Sequence, residues 1–267
     1  MEVIDLKGRR ALIVGIANER SIAAAVARKL RSAGVEIGMT YHTERTRPYV
    51  EPFAQEIGAA MLLPCNVPDE DEVAGVVDQV RARWGGIDYL FHAVGAVPKD
   101  EIKHRLLQVS GPGFADAMQT SVYSFIQFSR VAAPLLADDA SIVTLTFYGA
   151  ERVVDHYNVM GPVKAALQCA VQYLAHELGP SGIRVNAISA GPINTRGSSG
   201  ISQFSKLTDE VRKKAPLRRN VTTEEVGKVA LFLVSDLASG VTGEIIHVDS
   251  GHHIEGMSFE DETPLKV

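Results

Sequence analysis

The chain has 267 residues, 46% of them hydrophobic, which suits one large α/β domain whose core needs no disulfide or metal staple. Its formal net charge of −5 contains no block of like charge, which excludes a nucleic-acid-binding stripe and a polybasic membrane patch. Cys65 and Cys169 lack ligand-type spacing, residues 1–10 lack an apolar signal core, and no apolar stretch can span a bilayer, so a soluble, cytoplasmic protein with reduced thiols is expected.

Short apolar runs alternate with longer helical patterns along the chain. Strands are predicted over 11–14, 36–41, 61–64, 87–92, 141–146, 183–188 and 245–248. Helices are predicted over 21–33, 48–57, 69–84, 113–136, 157–178 and 223–237. Strands separated by helix-length crossovers imply a Rossmann-type, doubly wound α/β fold: a seven-stranded, mostly parallel sheet with helices on both faces. Asp69 with Glu72, and Thr222 with Glu225, offer capping boxes, while Gly85-Gly86 and Gly179-Pro180 are placed to end helices. With no repeat and no linker, residues 1–267 are expected to form a single domain. The Gly/Ser-rich stretch 196–202 is its candidate mobile loop.

The candidate site residues cluster at the carboxyl ends of the strands, where ligands bind on this fold. The first strand runs into Gly15-Ile-Ala-Asn-Glu-Arg-Ser21, a turn opening into a helix. Gly15 lets the backbone approach a pyrophosphate, and Ser21 brings a hydroxyl and an N–H to the positive helix end. A serine there is also an ordinary N-cap, and the pattern is not G-x-G-x-x-G. The third strand ends in Cys65-Asn66-Val67, where a polar side chain can meet adenine. The fourth ends in His92-Ala93-Val94-Gly95, where Gly95 admits a ribose and His92 reads as a satisfied core histidine. After the second strand, Tyr41-His42-Thr43-Glu44-Arg45-Thr46-Arg47 lacks the usual ribose-binding acid at the strand end. Its basic residues suit either a 2′-phosphate or a solvated helix start, so NADH is the first choice of cofactor and NADPH the second. The adjacent His252-His253 lack a third ligand, so no metal is assigned.

The chemistry lies between Thr144 and Lys164. Tyr157 and Lys164 are seven residues apart, about two helical turns, so both can address one ligand. The lysine can hold a nicotinamide ribose and, with oxidised nicotinamide, lower the tyrosine pKa. The tyrosine hydroxyl can donate to an oxygen that gains charge during hydride transfer. A buried tyrosine and a snorkelling lysine on an amphipathic helix is the bland alternative, disfavoured by the neighbouring cleft.

These residues bring a family into view. Gly15-x5-Ser21-Ile22-Ala23, Tyr157-Asn-Val-Met160 with Lys164, Arg184-Val-Asn-Ala-Ile-Ser-Ala-Gly-Pro-Ile193 with Thr195, and Val248-Asp-Ser-Gly251 span nearly the whole chain. Together they resemble the short-chain dehydrogenase/reductase superfamily, in its divergent branch of enoyl-acyl-carrier-protein reductases. The ordinary branch spaces tyrosine and lysine four apart, a position held here by Gly161. The resemblance implies NADH-dependent reduction of the trans-2 double bond of enoyl thioesters on acyl carrier protein, in type II fatty-acid synthesis, by a homotetramer. It implies Tyr157 and Lys164 as the catalytic pair. Gly15, Ser21, Ile22, His42, Asn66, Val67, Val94, Gly95, Ile193 and Thr195 would line the cofactor site with Lys164. Ala96, Phe147, Met160 and Phe204 would line the acyl pocket with Tyr157, and a loop over 194–204 would cover substrate. The family commonly has aspartate at Asn66, tyrosine at Phe147 and an aromatic residue at Ala96, which bears on acyl preference more than on the reaction. A carbonyl reductase of the same fold and a catalytically silent dinucleotide sensor are the competing readings.

Overall fold

Parallel strands cannot be joined by hairpins, so each apolar run must be followed by a crossover that returns the chain to the same edge. The computed structural model, which describes residues 4–195 and 202–256, obeys this throughout. Its strands are β1 (Arg10–Val14), β2 (Glu36–Tyr41), β3 (Met61–Pro64), β4 (Ile87–His92), β5 (Leu136–Thr146), β6 (Arg184–Ala190) and β7 (Ile245–Val248). They form one seven-stranded sheet in the order β3-β2-β1-β4-β5-β6-β7. Every pairing is parallel, so the expected sheet is fully rather than mostly parallel.

Successive residues of a strand face opposite sides, and β1 divides its core residues accordingly. Leu12 and Val14 join one hydrophobic cluster, with Trp84 of α3 (Glu70–Trp84), Phe125 and Phe128 of α5 (Ser124–Ala132) and Leu167 of α6 (Met160–Leu178). Ala11 and Ile13 join the other, with Leu30 of α1 (Ile22–Ser32), Phe53 of α2 (Glu51–Glu56) and Ala230 of α8 (Thr223–Val234). Helices therefore cover both faces.

Local chemistry departs from expectation at several points. The Thr222/Glu225 capping box forms, but Glu72 instead accepts from the Asn66 N–H at 2.7 Å, leaving Asp69 to cap α3 alone. The helix expected over 113–136 is interrupted. It comprises α4 (Gly111–Met118), a π turn at Gln119–Tyr123, α5, and a 3-10 turn at Ala133–Leu135 containing Pro134. The chain is already extended in β5 from Leu136. A further helix, α7 (Phe204–Lys214), was not expected; Phe204, Leu207 and Val211 follow a helical spacing along one side of an otherwise polar segment, and only Val211 is buried. Of the expected mobile stretch, residues 196–201 lie outside the described residues. Among the described residues no helix is long and apolar enough to cross a membrane.

Gly179 keeps a right-handed conformation and leads into a 3-10 turn, and Gly182 terminates it at φ 77°. A Cβ at Gly182 would collide with the Asp138 carbonyl oxygen. Gly182→Ala is expected to destabilise the fold by on the order of 2–3 kcal/mol, lowering the urea midpoint at unchanged m. An unchanged midpoint would show that the 138 backbone yields.

Candidate active site

β1 and β4 are neighbours, yet β1 leads to β2 on one side and the next strand of the chain on the other side is β4. Loops leaving such a pair diverge and open a crevice above the strand ends. Two adjoining cavities occupy it, of about 520 and 460 Å³, and both are walled by Gly15, Val94, Gly95 and Ala96. The first extends to His42, Asn66 and Val67. The second extends to Ser21, Ile22, Phe147, Tyr157, Met160, Lys164, Ile193, Thr195 and Phe204. The structure thus brings together every site residue singled out from sequence.

The walls fit a dinucleotide. Gly15 has φ 94°, and a Cβ there would stand 2.7 Å from Val94 Cγ2 and 2.9 Å from the Ala93 oxygen. Its N–H is engaged by Thr40 Oγ1 at 3.0 Å, so Gly15 contributes room rather than a donor. Ser21 caps α1, accepting from the Ala24 N–H at 3.1 Å, and the first turn of α1 holds no acidic residue. The positive end of that helix is therefore left for an anionic group. His42 Nε2 lies 3.0 Å from Asn66 Oδ1 at the far end of the crevice. A Cβ on Gly95 would meet Lys164 Nζ at 3.0 Å, so this glycine keeps space around the amine.

Lys164 is 7% exposed and donates to the Leu145 carbonyl at 2.8 Å. Burial pushes its pKa down to about 8. Burial pushes the Tyr157 hydroxyl upward, so it stays protonated; in the protein alone the lysine does not lower it. Tyr157 does not lie on the helix, contrary to expectation. α6 begins at Met160, and Tyr157 sits in the preceding turn between His156 (φ 65°) and Asn158 (φ 47°), neither of which is helical. Pro162 falls in the first helical turn, where its missing donor costs nothing. Phe147 packs edge-on to Tyr157 with ring centroids 4.8 Å apart, while Tyr148 turns away onto His252.

Several supporting residues escaped the sequence reading. Gly149 lies beneath the Tyr157 ring, where a Cβ would overlap ring carbons. Ser121, fully buried in the π turn, accepts from the Ala96 N–H and donates to the Ala96 carbonyl, both at 3.1 Å. That clamp on the cavity wall gives the interrupted helix a local reason. His92 is a hydrogen-bonded core histidine, as expected, held between Thr144 Oγ1 at 3.2 Å and Ser124 Oγ at 2.9 Å. Burial, with the nearby Lys164 charge, pushes it down to about 3. Neither Gly149 nor Ser121 carried a distinct sequence signal: Ser121 is one polar residue among several on its helix, beside Thr120, Ser124, Gln127 and Ser129. Among the described residues no cluster of His, Cys, Asp and Glu is arranged to hold a metal.

A parallel sheet with a crevice at its switch point, and a buried tyrosine and lysine on one wall, defines a dinucleotide-dependent oxidoreductase of the short-chain type. A family model described as enoyl-(acyl carrier protein) reductase matches residues 15–253. The NADH enoyl-[acyl-carrier-protein] reductase 1 of Rhizobium meliloti is 48% identical over 98% of this chain and 96% of its own length. The crystal structure of the corresponding NADH enzyme from Aquifex aeolicus superposes with a TM-score of 0.92 at 41% identity, covering 95% of this chain and 99% of that one. The Anaplasma phagocytophilum reductase, solved in complex with NAD, gives 0.91 at 43% identity, covering 95% and 97%. The chain belongs to the enoyl-acyl-carrier-protein reductase family.

The buried lysine has a stability consequence. A lysine near 10.5 when unfolded and about 8 when folded means that the unfolded state binds more protons between those pH values. Stability therefore rises with pH across that window, and below it the full cost, on the order of 3 kcal/mol, is present. Lys164→Met is expected to raise the melting temperature of the cofactor-free protein at pH 7, by less at pH 9.5, while weakening NADH binding. Calorimetry at both pH values checks the sign; a gain that grows with pH would contradict it.

Proposed function

We propose that this protein is an NADH-dependent enoyl-acyl-carrier-protein reductase, reducing the trans-2 double bond of enoyl thioesters in type II fatty-acid synthesis. The observation that carries the reading is the convergence of Tyr157 and Lys164 on the cavity that continues into the dinucleotide crevice. Bound NADH would supply the hydride, which goes to the β-carbon of the thioester. Tyr157, protonated at working pH, donates to the thioester oxygen as enolate charge develops there. Lys164 anchors the nicotinamide ribose. Ile193 and Thr195 flank the nicotinamide half, and Ser21, Ile22 and the α1 end face the pyrophosphate. His42, Asn66 and Val67 receive the adenosine half, with Gly15, Val94 and Gly95 giving close approach. Ala96, Phe147, Met160 and Phe204 line the acyl chain. A carbonyl reductase is disfavoured by the seven-residue spacing, and a silent sensor by a tyrosine positioned as a donor.

The reading includes one domain over 1–267 whose 194–204 segment covers substrate; Phe204, at the start of α7, already lines the acyl cavity. It includes a homotetramer, supported by exposed aromatic residues Phe114 on α4 and Tyr173 on α6, and a cytoplasmic location, supported by two free cysteines. NADH is favoured over NADPH by the segment after β2. Arg47 is occupied by Glu51 at 2.9 Å and Glu44 at 3.6 Å, and Tyr41 donates to Glu44. An arginine held by two carboxylates is not available to bind a 2′-phosphate.

The test is oxidation of NADH and NADPH over a panel of enoyl and β-keto thioesters. Enoyl turnover with higher kcat/KM for NADH is expected, and Glu44→Gln should narrow the gap. Tyr157→Phe should lower turnover on the order of 10²-fold with NADH affinity nearly intact. Reduction of the β-keto substrate alone would assign a carbonyl reductase instead. Ala96→Phe, which fills space at the shared wall, should shift preference toward short acyl chains, gradually rather than absolutely.

A further inference from the structure

Five non-glycine residues among those described have positive φ, and two of them, His156 and Asn158, flank Tyr157. A third, Gln203, is the hydrogen-bond partner of His156, with Gln203 Nε2 and His156 Nε2 3.0 Å apart. Such conformations persist where surrounding contacts over-determine them, and they gather at functional sites. An asparagine tolerates the left-handed region by itself, so backbone alone could account for Asn158. Its side chain, however, makes no local turn. Asn158 Nδ2 donates to the carbonyl of Ile102 at 2.8 Å, across 56 residues of sequence. An amide oxygen facing that carbonyl would repel it, which fixes the donor orientation.

Ile102 lies in the loop that follows β4, and it lines the acyl cavity together with Tyr157 and Met160. On the other side, Gln203 immediately precedes Phe204, which lines the same cavity. The residues on either side of Tyr157 thus reach, one each, to the two segments that wall the cavity. We propose that Asn158 is a positioning residue of the reductase: its amide fastens the Ile102 wall to the Tyr157 turn and so sets where the acyl thioester lies relative to the tyrosine hydroxyl. His156 makes the corresponding tie to the segment leading into α7. The inference rests on the enoyl-thioester reading of this cavity.

Two variants separate the tether from the backbone. Asn158→Gly removes the amide and keeps the left-handed conformation free of strain. Asn158→Asp keeps the shape and replaces the donor by an acceptor. Both should raise KM for the enoyl thioester about tenfold and lower kcat severalfold, as expected for a misplaced reacting group, with the NADH dissociation constant within about twofold of the parent. Amide hydrogen exchange over residues 98–104 should accelerate in both, with or without substrate. Unchanged KM and kcat would overturn the proposal, whether or not exchange rises. So would a loss of NADH affinity in step with activity, which would mark general damage to the crevice. If the parent turned over no enoyl thioester while exchange over 98–104 still rose in the variants, the tether would stand and the substrate assignment would fall.

Discussion

Everything above the carboxyl edge depends on where the sheet reverses its winding. β1 and β4 lie side by side, and the connections leaving them run to opposite sides. Neither loop can cover the gap between them, so a crevice is a geometric consequence of the strand order. Residues that border it are then selected for what they leave out as much as for what they bring. Gly15 and Gly95 lie at the two adjacent strand ends, and a methyl group at either would touch the opposite wall or the lysine. The polar network of His92, Thr144 and Ser124 lies directly beneath, neutral and hydrogen-bonded, holding the β4 exit without adding charge.

The site is built at the expense of stability. A lysine amine with one carbonyl partner in an apolar wall, and a tyrosine held between two left-handed residues, are arrangements that a core selected only for packing would replace. The large clusters on both sheet faces make them tolerable. Phe91, Phe125, Phe128 and Leu90 are essentially buried, and each such side chain contributes roughly 1.5–3 kcal/mol of transfer free energy. The rigidity of that base lets a few costly groups keep their places.

The sheet was legible because buried parallel strands read as short, predominantly apolar runs, and six of the seven lie within a residue or two of expectation at each end; β5 begins five residues early. The crevice-lining residues were legible because ligands on this fold bind outside the carboxyl ends of the strands. What sequence did not disclose shares one cause: a distant partner chose the local conformation. Ser121 widens a helical turn to reach Ala96, and Glu72 abandons a capping box for Asn66. α7 was missed for another reason: its apolar side consists of Phe204, Leu207 and Val211 alone, in a segment whose other positions are polar and mostly exposed.

The spacing of Tyr157 and Lys164 takes on a different meaning once the tyrosine is seen to precede the helix. Seven residues along a helix would hold both side chains on one face at a fixed rise, with the hydroxyl tied to the helical register of the lysine. Here only the lysine obeys that register, because α6 starts at Met160. The tyrosine is placed by its own contacts: the edge of Phe147, the bare backbone of Gly149 beneath its ring, and the turn formed by His156 and Asn158. A hydroxyl uncoupled from the helix can be set at a distance from the Lys164 amine that, in the proposed reaction, suits an oxygen two carbons beyond the site of hydride delivery. A carbonyl substrate, whose oxygen sits on the carbon receiving hydride, has no need of that freedom. The physical content of the longer spacing is therefore the release of the tyrosine from the helix, with its position handed to the turn and to the walls that the turn grips.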